Sequence, residues 1–161
     1  MTQWFSNEML LAGETLIKRL DESDGQVAAA FWILESEEKT WELTIVSPLV
    51  ETQGPRSYYK RIDDINGSAS PDEEIISLHD IRVSNTHNRI VKAIKHSVLG
   101  NTVLGNNRLG RNTMGGIDIE DMYLYRMDWK LLENLPLSPS IKNIPLQQSL
   151  QNLNSTSKCN F

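Results

Sequence analysis

A chain of 161 residues lies within the size range of one domain, and its hydrophobic content of 39% and charged content of 23% exclude collagen-like, fully disordered and membrane-embedded proteins. The longest apolar run, residues 27–34, is too short to span a bilayer. The net charge of −5, the single cysteine Cys159 and a first segment without a secretory signal together predict an acidic cytoplasmic protein without disulfides.

Two helices and a hairpin are predicted in the first half of the chain. Residues 7–20 place apolar side chains at spacings of three and four, which is typical of a helix capped by Asn7. Residues 26–34 are apolar on both faces, and residues 40–46 alternate between apolar and polar side chains. These two runs predict an antiparallel hairpin. After a loop ending at Gly54, the next residue, a proline, begins a second helix that ends near Gly67.

A strand and a helix are predicted next. Residues 75–83 are typical of a third strand, with an irregularity at His79 where the alternation slips. Thr86 or Asn88 can cap a third helix, and Gly100 is suited to its end.

The last third of the chain contains a long predicted loop and a final strand. Residues 101–116 are rich in glycine and asparagine. Residues 117–127 alternate between apolar and polar side chains, which is typical of a strand. The order α-β-β-α-β-α-β predicts an α/β (α+β) domain with a mixed four-stranded sheet and helices packed on it. We expect this domain to cover residues 1–127. Residues 128–161 are predicted to form a polar, largely flexible tail, in which a short helix over residues 129–133 can dock.

Several short motifs occur in a fixed order along the chain. A strand ends in Ser47-Pro48 with Val50 two residues later, a helix starts with Gly-Pro-Arg at residues 54–56, and residues 119–126 read Ile-Glu-Asp-x-Tyr-x-Tyr-Arg. In this order they resemble a family of small uncharacterised bacterial proteins. The resemblance covers about residues 8–127 and implies a single domain, but it implies no activity.

Charge is distributed unevenly along the chain. Residues 1–80 hold 6 basic and 16 acidic side chains, whereas residues 81–117 hold 6 basic ones and no acid. Because exposed surfaces usually mix both signs, this basic segment favours an accessory protein that binds a polyanion, either a nucleic acid or an acidic partner protein. The candidate binding residues are Arg82, Arg89, Lys92, Lys95, His96, Arg108 and Arg111. The alternative is that these cations pair with the acidic first half of the same chain.

A metal-dependent phosphodiesterase or other hydrolase is the second hypothesis. Carboxylates at strand ends could gather around Mg²⁺; the candidates are Glu42, Asp80, Asp118, Glu120 and Asp121. However, Thr44 occupies the position where the Glu-x-Lys motif of restriction-type nucleases requires lysine.

No complete catalytic motif is present in the sequence. Residues 100–116 lack the Lys-Ser/Thr pair of a phosphate-binding loop, and the histidines His79, His87 and His96 lack zinc-ligand spacing. Ser47 is not in a nucleophile elbow. The sequence therefore predicts neither a metal nor another cofactor, and enzymatic activity is the less favoured hypothesis.

Overall fold

The computed structural model describes residues 4–37, 39–96, 106–114 and 116–133. Its helices are α1 (Asn7–Glu22), α2 (Pro48–Gln53), α3 (Pro55–Gly67), a 3₁₀ helix (Leu78–Asp80), α4 (Arg89–Lys95) and α5 (Trp129–Glu133). Its strands are β1 (Ala29–Glu35), β2 (Trp41–Val46), β3 (Ile81–Ser84), β4 (Asn107–Leu109), β5 (Asn112–Met114) and β6 (Ile117–Met127).

These strands form one mixed sheet in the order β3-β2-β1-β6-β4, and β5 also pairs with β6. The predicted β1–β2 hairpin is confirmed as antiparallel, with Ala29 opposite Val46. β3 returns parallel to β2, while β6 runs antiparallel to β1 with irregularities after Ala30 and Leu34. The fold class is thus a mixture of helices and a mixed sheet, as predicted.

Helices cover both faces of the sheet, so the central strand is buried on both sides. Ala30, Trp32 and Leu34 of β1 pack in a core with α1 and α3. The alternate residues Phe31 and Ile33 pack in a second core with α4 and α5. Since successive side chains of a strand point to opposite faces, the apolar run in β1 supplies both cores. We refer below to the α1 face and the α4 face of the sheet.

The predicted count of four strands was wrong, because β4 and β5 lie within the predicted loop of residues 101–116. Asn107 pairs with Leu124 and Asn112 pairs with Ile119, so both short strands add to the long strand β6. Each has only three residues. Such a length is too short for an alternation pattern to be recognised in the sequence.

Local capping explains two further differences from the predicted elements. Ser6, rather than Asn7, caps α1, and its Oγ accepts a hydrogen bond of 3.1 Å from the Met9 N–H. The predicted loop after Ser47 contains α2, because the Ser47 Oγ accepts from the Leu49 N–H at 3.1 Å and Pro48 is placed in the first turn.

The third strand is shorter than predicted. Of the predicted span, only residues 81–83 belong to the strand, which ends at Ser84, and the 3₁₀ helix begins at Leu78, beside the predicted irregularity at His79. Asn88 caps α4, as one of the two predicted alternatives, with its Oδ1 accepting from the Ile90 and Val91 N–H groups. The predicted helix end at Gly100 lies outside the described residues.

The segment after β6 begins with a packed helix. Asp128 caps α5 by accepting from the Lys130 N–H at 3.0 Å, and Leu132 is buried in the core on the α4 face. The rest of the predicted tail, from residue 134, lies outside the described residues. Within the described ranges, no helix has the length and apolar character needed to cross a membrane.

Candidate functional site

The predicted basic residues do not form one continuous surface. Those on α4 project from a helix whose Ile90 and Ile94 pack against the α4 face of the sheet. Arg108 lies on the other side: it is opposite Tyr123 in the β4–β6 register, and its guanidinium carbon is 5.2 Å from the centre of the Phe5 ring. Because Phe5 and Tyr123 pack with the core on the α1 face, the sheet separates Arg108 from the cations of α4.

Four of the seven predicted residues form ion pairs within the chain. The pairs are Arg82 with Glu42 at 3.1 Å, Arg89 with Glu35 at 2.9 Å, Lys95 with Glu133 at 3.2 Å and Arg108 with Asp121 at 2.6 Å. Two of the carboxylates, Glu35 and Glu42, belong to the acidic first half of the sequence. Lys92 and Arg111 have no carboxylate within ion-pair distance in the described ranges, and His96 is the C-cap of α4.

The strand-end carboxylates of the hydrolase hypothesis contact different partners. Asp121 accepts two hydrogen bonds from Arg108, Glu120 accepts one from Lys39 at 2.8 Å, and Asp118 accepts one from Thr113. In the part of the chain that the structure describes, no group of three or more potential metal ligands comes together. Ser47 is buried and its Oγ donates to the Gly25 carbonyl, which is a structural contact.

A cleft of about 490 Å³ opens between the start of α1 and the segment of residues 74–80. We call it the aromatic cleft. Its lining residues comprise three tryptophans, three carboxylates, four apolar side chains and two serines: Trp4, Trp32, Trp41, Glu8, Glu74, Asp80, Met9, Ala12, Ile75, Ile76, Ser6 and Ser77. Its volume is in the range of small-molecule and side-chain binding sites.

Adjacent strands supply the floor of the aromatic cleft. Trp32 of β1 and Trp41 of β2 both project to the α1 face and are 2% and 3% exposed. The Trp32 Nε1–H donates to the Tyr125 hydroxyl at 3.0 Å, and that hydroxyl donates to the Leu10 carbonyl of α1 at 2.7 Å. Burial raises the pKa of Tyr125 well above its ordinary value, so the hydroxyl remains a hydrogen-bond donor. This chain of hydrogen bonds joins the floor of the aromatic cleft to α1.

A cluster of packed aromatic rings lies beside Trp41 of the floor. The Phe5 ring centre is 4.8 Å from that of Trp41, and the Arg108 guanidinium carbon is 5.8 Å from the Trp41 ring centre. Asp121 accepts two hydrogen bonds from Arg108, and this pairing raises the pKa of the guanidinium. The predicted binding residue Arg108 thus stacks on the aromatic cluster and is paired on the surface.

The walls of the aromatic cleft differ from its floor in being exposed and acidic. Trp4 is 87% exposed and Ile75 is 50% exposed. Glu8, Glu74 and Asp80 are exposed as well, and none forms an ion pair with a described residue. The Asn66 side-chain amide donates to the Ile76 carbonyl at 3.0 Å, which ties the outer wall to α3.

The amino-acid sequence does not indicate this site. Trp32 lies in the apolar run of residues 26–34 and Trp41 in the alternating run of residues 40–46, and both are buried in the structure. However, the cleft joins residues 4–12, two strands and residues 74–80. The exposure of Trp4 is the one feature that would have indicated the cleft, and solvent exposure cannot be determined from the sequence.

Comparison with known proteins adds no functional information. No protein-family model, curated protein or solved structure matches this chain. The resemblance to a bacterial family stays a prediction.

Proposed function

We propose that this protein is an interaction protein that receives its ligand in the aromatic cleft. The observation that carries the proposal is an open cleft whose floor is made of two ordered tryptophans while a third, Trp4, stands 87% exposed on its wall. Large exposed apolar groups beside a preformed cavity are characteristic of binding surfaces. In the described ranges, the exposed large hydrophobic side chains are Trp4, Ile75 and Leu11. Trp4 and Ile75 line the cleft, and Leu11 precedes the cleft residue Ala12 on α1.

The test is to map where small fragments bind on the isotope-labelled protein by NMR. The fragment set contains neutral, cationic and anionic aromatic compounds of equal size, so that the result does not depend on one ligand charge. We expect fragments to shift the backbone amides of residues 74–77 and of the first turn of α1. Fragments spread over the surface without preference for these amides would contradict the proposal.

A matched pair of variants separates filling of the cleft from a change in α1. Ala12 lines the cleft, whereas its neighbour Leu11 is 51% exposed and does not. We expect Ala12→Met to weaken fragment binding by reducing the volume of the cleft, while Leu11→Met leaves binding unchanged. Both variants introduce the same strong helix former, so circular dichroism should show an intact fold. Equal binding by the two variants would exclude the cleft as the binding site.

The exposed side of α4 is a second candidate surface, for a polyanion. Within Arg89–Lys95 the helix carries three cations and no acid, and Lys92 has no carboxylate partner in the described ranges. Exposed ion pairs contribute little free energy, so a phosphate could compete for Arg89 or Lys95. Internal pairing of these residues makes this hypothesis weaker than the cleft proposal.

A further inference from the structure

The charge around the aromatic cleft defines a chemical class of partner. Three carboxylates line it, from Glu8, Glu74 and Asp80, and its lining contains no lysine or arginine from the part of the chain that the structure describes. The adjacent residue Glu73 forms an ion pair with Arg19 at 2.6 Å, whereas Glu74 forms no ion pair with a lysine or arginine among the described residues. Carboxylates that surround an apolar cavity concentrate a negative potential there, because field lines are focused by walls of low dielectric constant.

From this arrangement, and resting on the proposed function above, we infer that the aromatic cleft binds a basic segment of a partner protein, with a lysine or arginine side chain seated over the tryptophans. We call Glu8, Glu74 and Asp80 the rim carboxylates of the cleft. They complement the ammonium or guanidinium group of the basic side chain, and the aromatic floor packs against its methylene groups. The chain already contains one such arrangement, since the Arg108 guanidinium stacks on Phe5 and Trp41 while Asp121 binds its nitrogens.

The apolar surface at the mouth of the cleft favours a protein segment over a free organic cation. Trp4 and Ile75 are exposed at the walls, and Leu11, the residue before the cleft residue Ala12 on α1, is also exposed. A small cation held by the carboxylates would leave these groups in water. A peptide that places a basic side chain in the cleft can cover them with its neighbouring apolar residues, which is how interface anchors are usually surrounded.

The experiment compares blocked hexapeptides that differ only in charge. One carries two arginines flanking a leucine, and its counterpart carries the neutral isostere citrulline at both positions. Butylguanidinium serves as the free cation. We expect the arginine peptide to bind about five- to tenfold more tightly than the citrulline peptide, and this difference to disappear at high salt. Amides of residues 74–80 should shift in the NMR spectrum.

Two double variants remove the same charge from different places. Glu74→Gln with Asp80→Asn neutralises two exposed rim carboxylates, whereas Glu14→Gln with Asp63→Asn neutralises two exposed carboxylates that do not line the cleft. The rim variant should bind the arginine peptide no better than wild type binds the citrulline peptide. The matched variant should bind it like wild type, because the overall charge is equal in the two proteins.

Each other outcome has a defined meaning. Equal affinity for the two peptides, or an equal effect of the two double variants, would overturn the inference while fragment binding could still support the cleft as a site. Butylguanidinium bound as tightly as the peptide would identify a free cation as the ligand instead. Absence of both peptide and fragment binding would reject the proposed function together with the inference.

Discussion

The carbonyl oxygen of Gly25 illustrates how single residues hold the turn between α1 and β1. It accepts hydrogen bonds from the Ser47 Oγ at 2.9 Å and from the Tyr58 hydroxyl at 2.8 Å. The three residues are far apart in sequence and all are buried. A buried carbonyl with two donors has both lone pairs satisfied, which joins α1, α2 and α3 at one point.

Replacing Tyr58 by phenylalanine should alter stability in a pH-dependent manner. Burial raises the pKa of Tyr58 to about 12 from its ordinary value of 10.0, so the folded protein retains this proton at a pH where the unfolded chain has lost it. The contribution of the Tyr58 proton to the free energy of unfolding is therefore complete below about pH 10 and is lost as the pH rises toward 12. Tyr58→Phe should lose about 1 kcal/mol at pH 7, from the missing hydrogen bond.

Urea unfolding of both proteins between pH 7 and 11.5 measures this effect. We expect the stability of the wild type to fall more steeply above pH 10 than that of Tyr58→Phe, so that the difference between them shrinks or reverses. Other groups that titrate in this range are common to both proteins and cancel. Parallel curves over the whole range would show that Tyr58 does not carry the alkaline dependence.

At the scale of elements, the close approach of α1 to the sheet depends on a residue without a side chain. A Cβ at Gly13 would collide with the Tyr125 hydroxyl and would lie 3.0 Å from the Trp32 Nε1. These atoms form the hydrogen bonds that hold the floor of the aromatic cleft. Gly13 is therefore required by packing, although glycine within a helix costs backbone entropy.

Gly13→Ala should destabilise the protein by about 1 to 3 kcal/mol, despite the higher helix propensity of alanine, because Tyr125 must move. Gly67→Ala is the matched control: it lies in α3, and a Cβ there meets nothing within 4 Å. The control should be neutral or gain up to about 1 kcal/mol. Thermal unfolding of both variants is the measurement. A Gly13→Ala protein as stable as the wild type would mean that α1 can shift away from the sheet without a loss of stability.

At the scale of the whole molecule, charges that are separated in the sequence neutralise one another across the fold. Arg89 donates two hydrogen bonds of 2.9 Å to Glu35, 54 residues away, and Arg126 binds Asp21 across 105 residues. Exposed pairs contribute modestly to stability, whereas pairs in which two guanidinium nitrogens bind the two carboxylate oxygens, as in Arg126–Asp21, are among the stronger ones. Part of the uneven charge along the chain therefore disappears in the folded molecule.

Two neutralising double variants distinguish a polyanion site from internal pairing. If the basic segment binds nucleic acid, the wild type should bind short duplex DNA at low salt, and Lys92→Gln with Arg111→Gln should flatten the salt dependence by about two units without affecting the fold. If the role of the cations is to form ion pairs within the chain, the wild type should not bind DNA. In that case Arg89→Gln with Arg108→Gln should lower the thermal stability, whereas the first variant should not. Filter binding and thermal unfolding measure the two effects.

Local patterns in the sequence were sufficient to predict α1, the β1–β2 hairpin, α3, α4 and β6, because apolar periodicity and caps act over a few residues. The sequence also showed that residues 26–34 are apolar on both faces, which agrees with the burial of β1 between two cores. It could not predict β4 and β5, whose three-residue strands exist only because β6 offers unpaired backbone groups beside them. Nor could it reveal the aromatic cleft, the separation of Arg108 from α4, or the ion pairs. These depend on residues that are distant in sequence, and only the tertiary structure decides which of them meet.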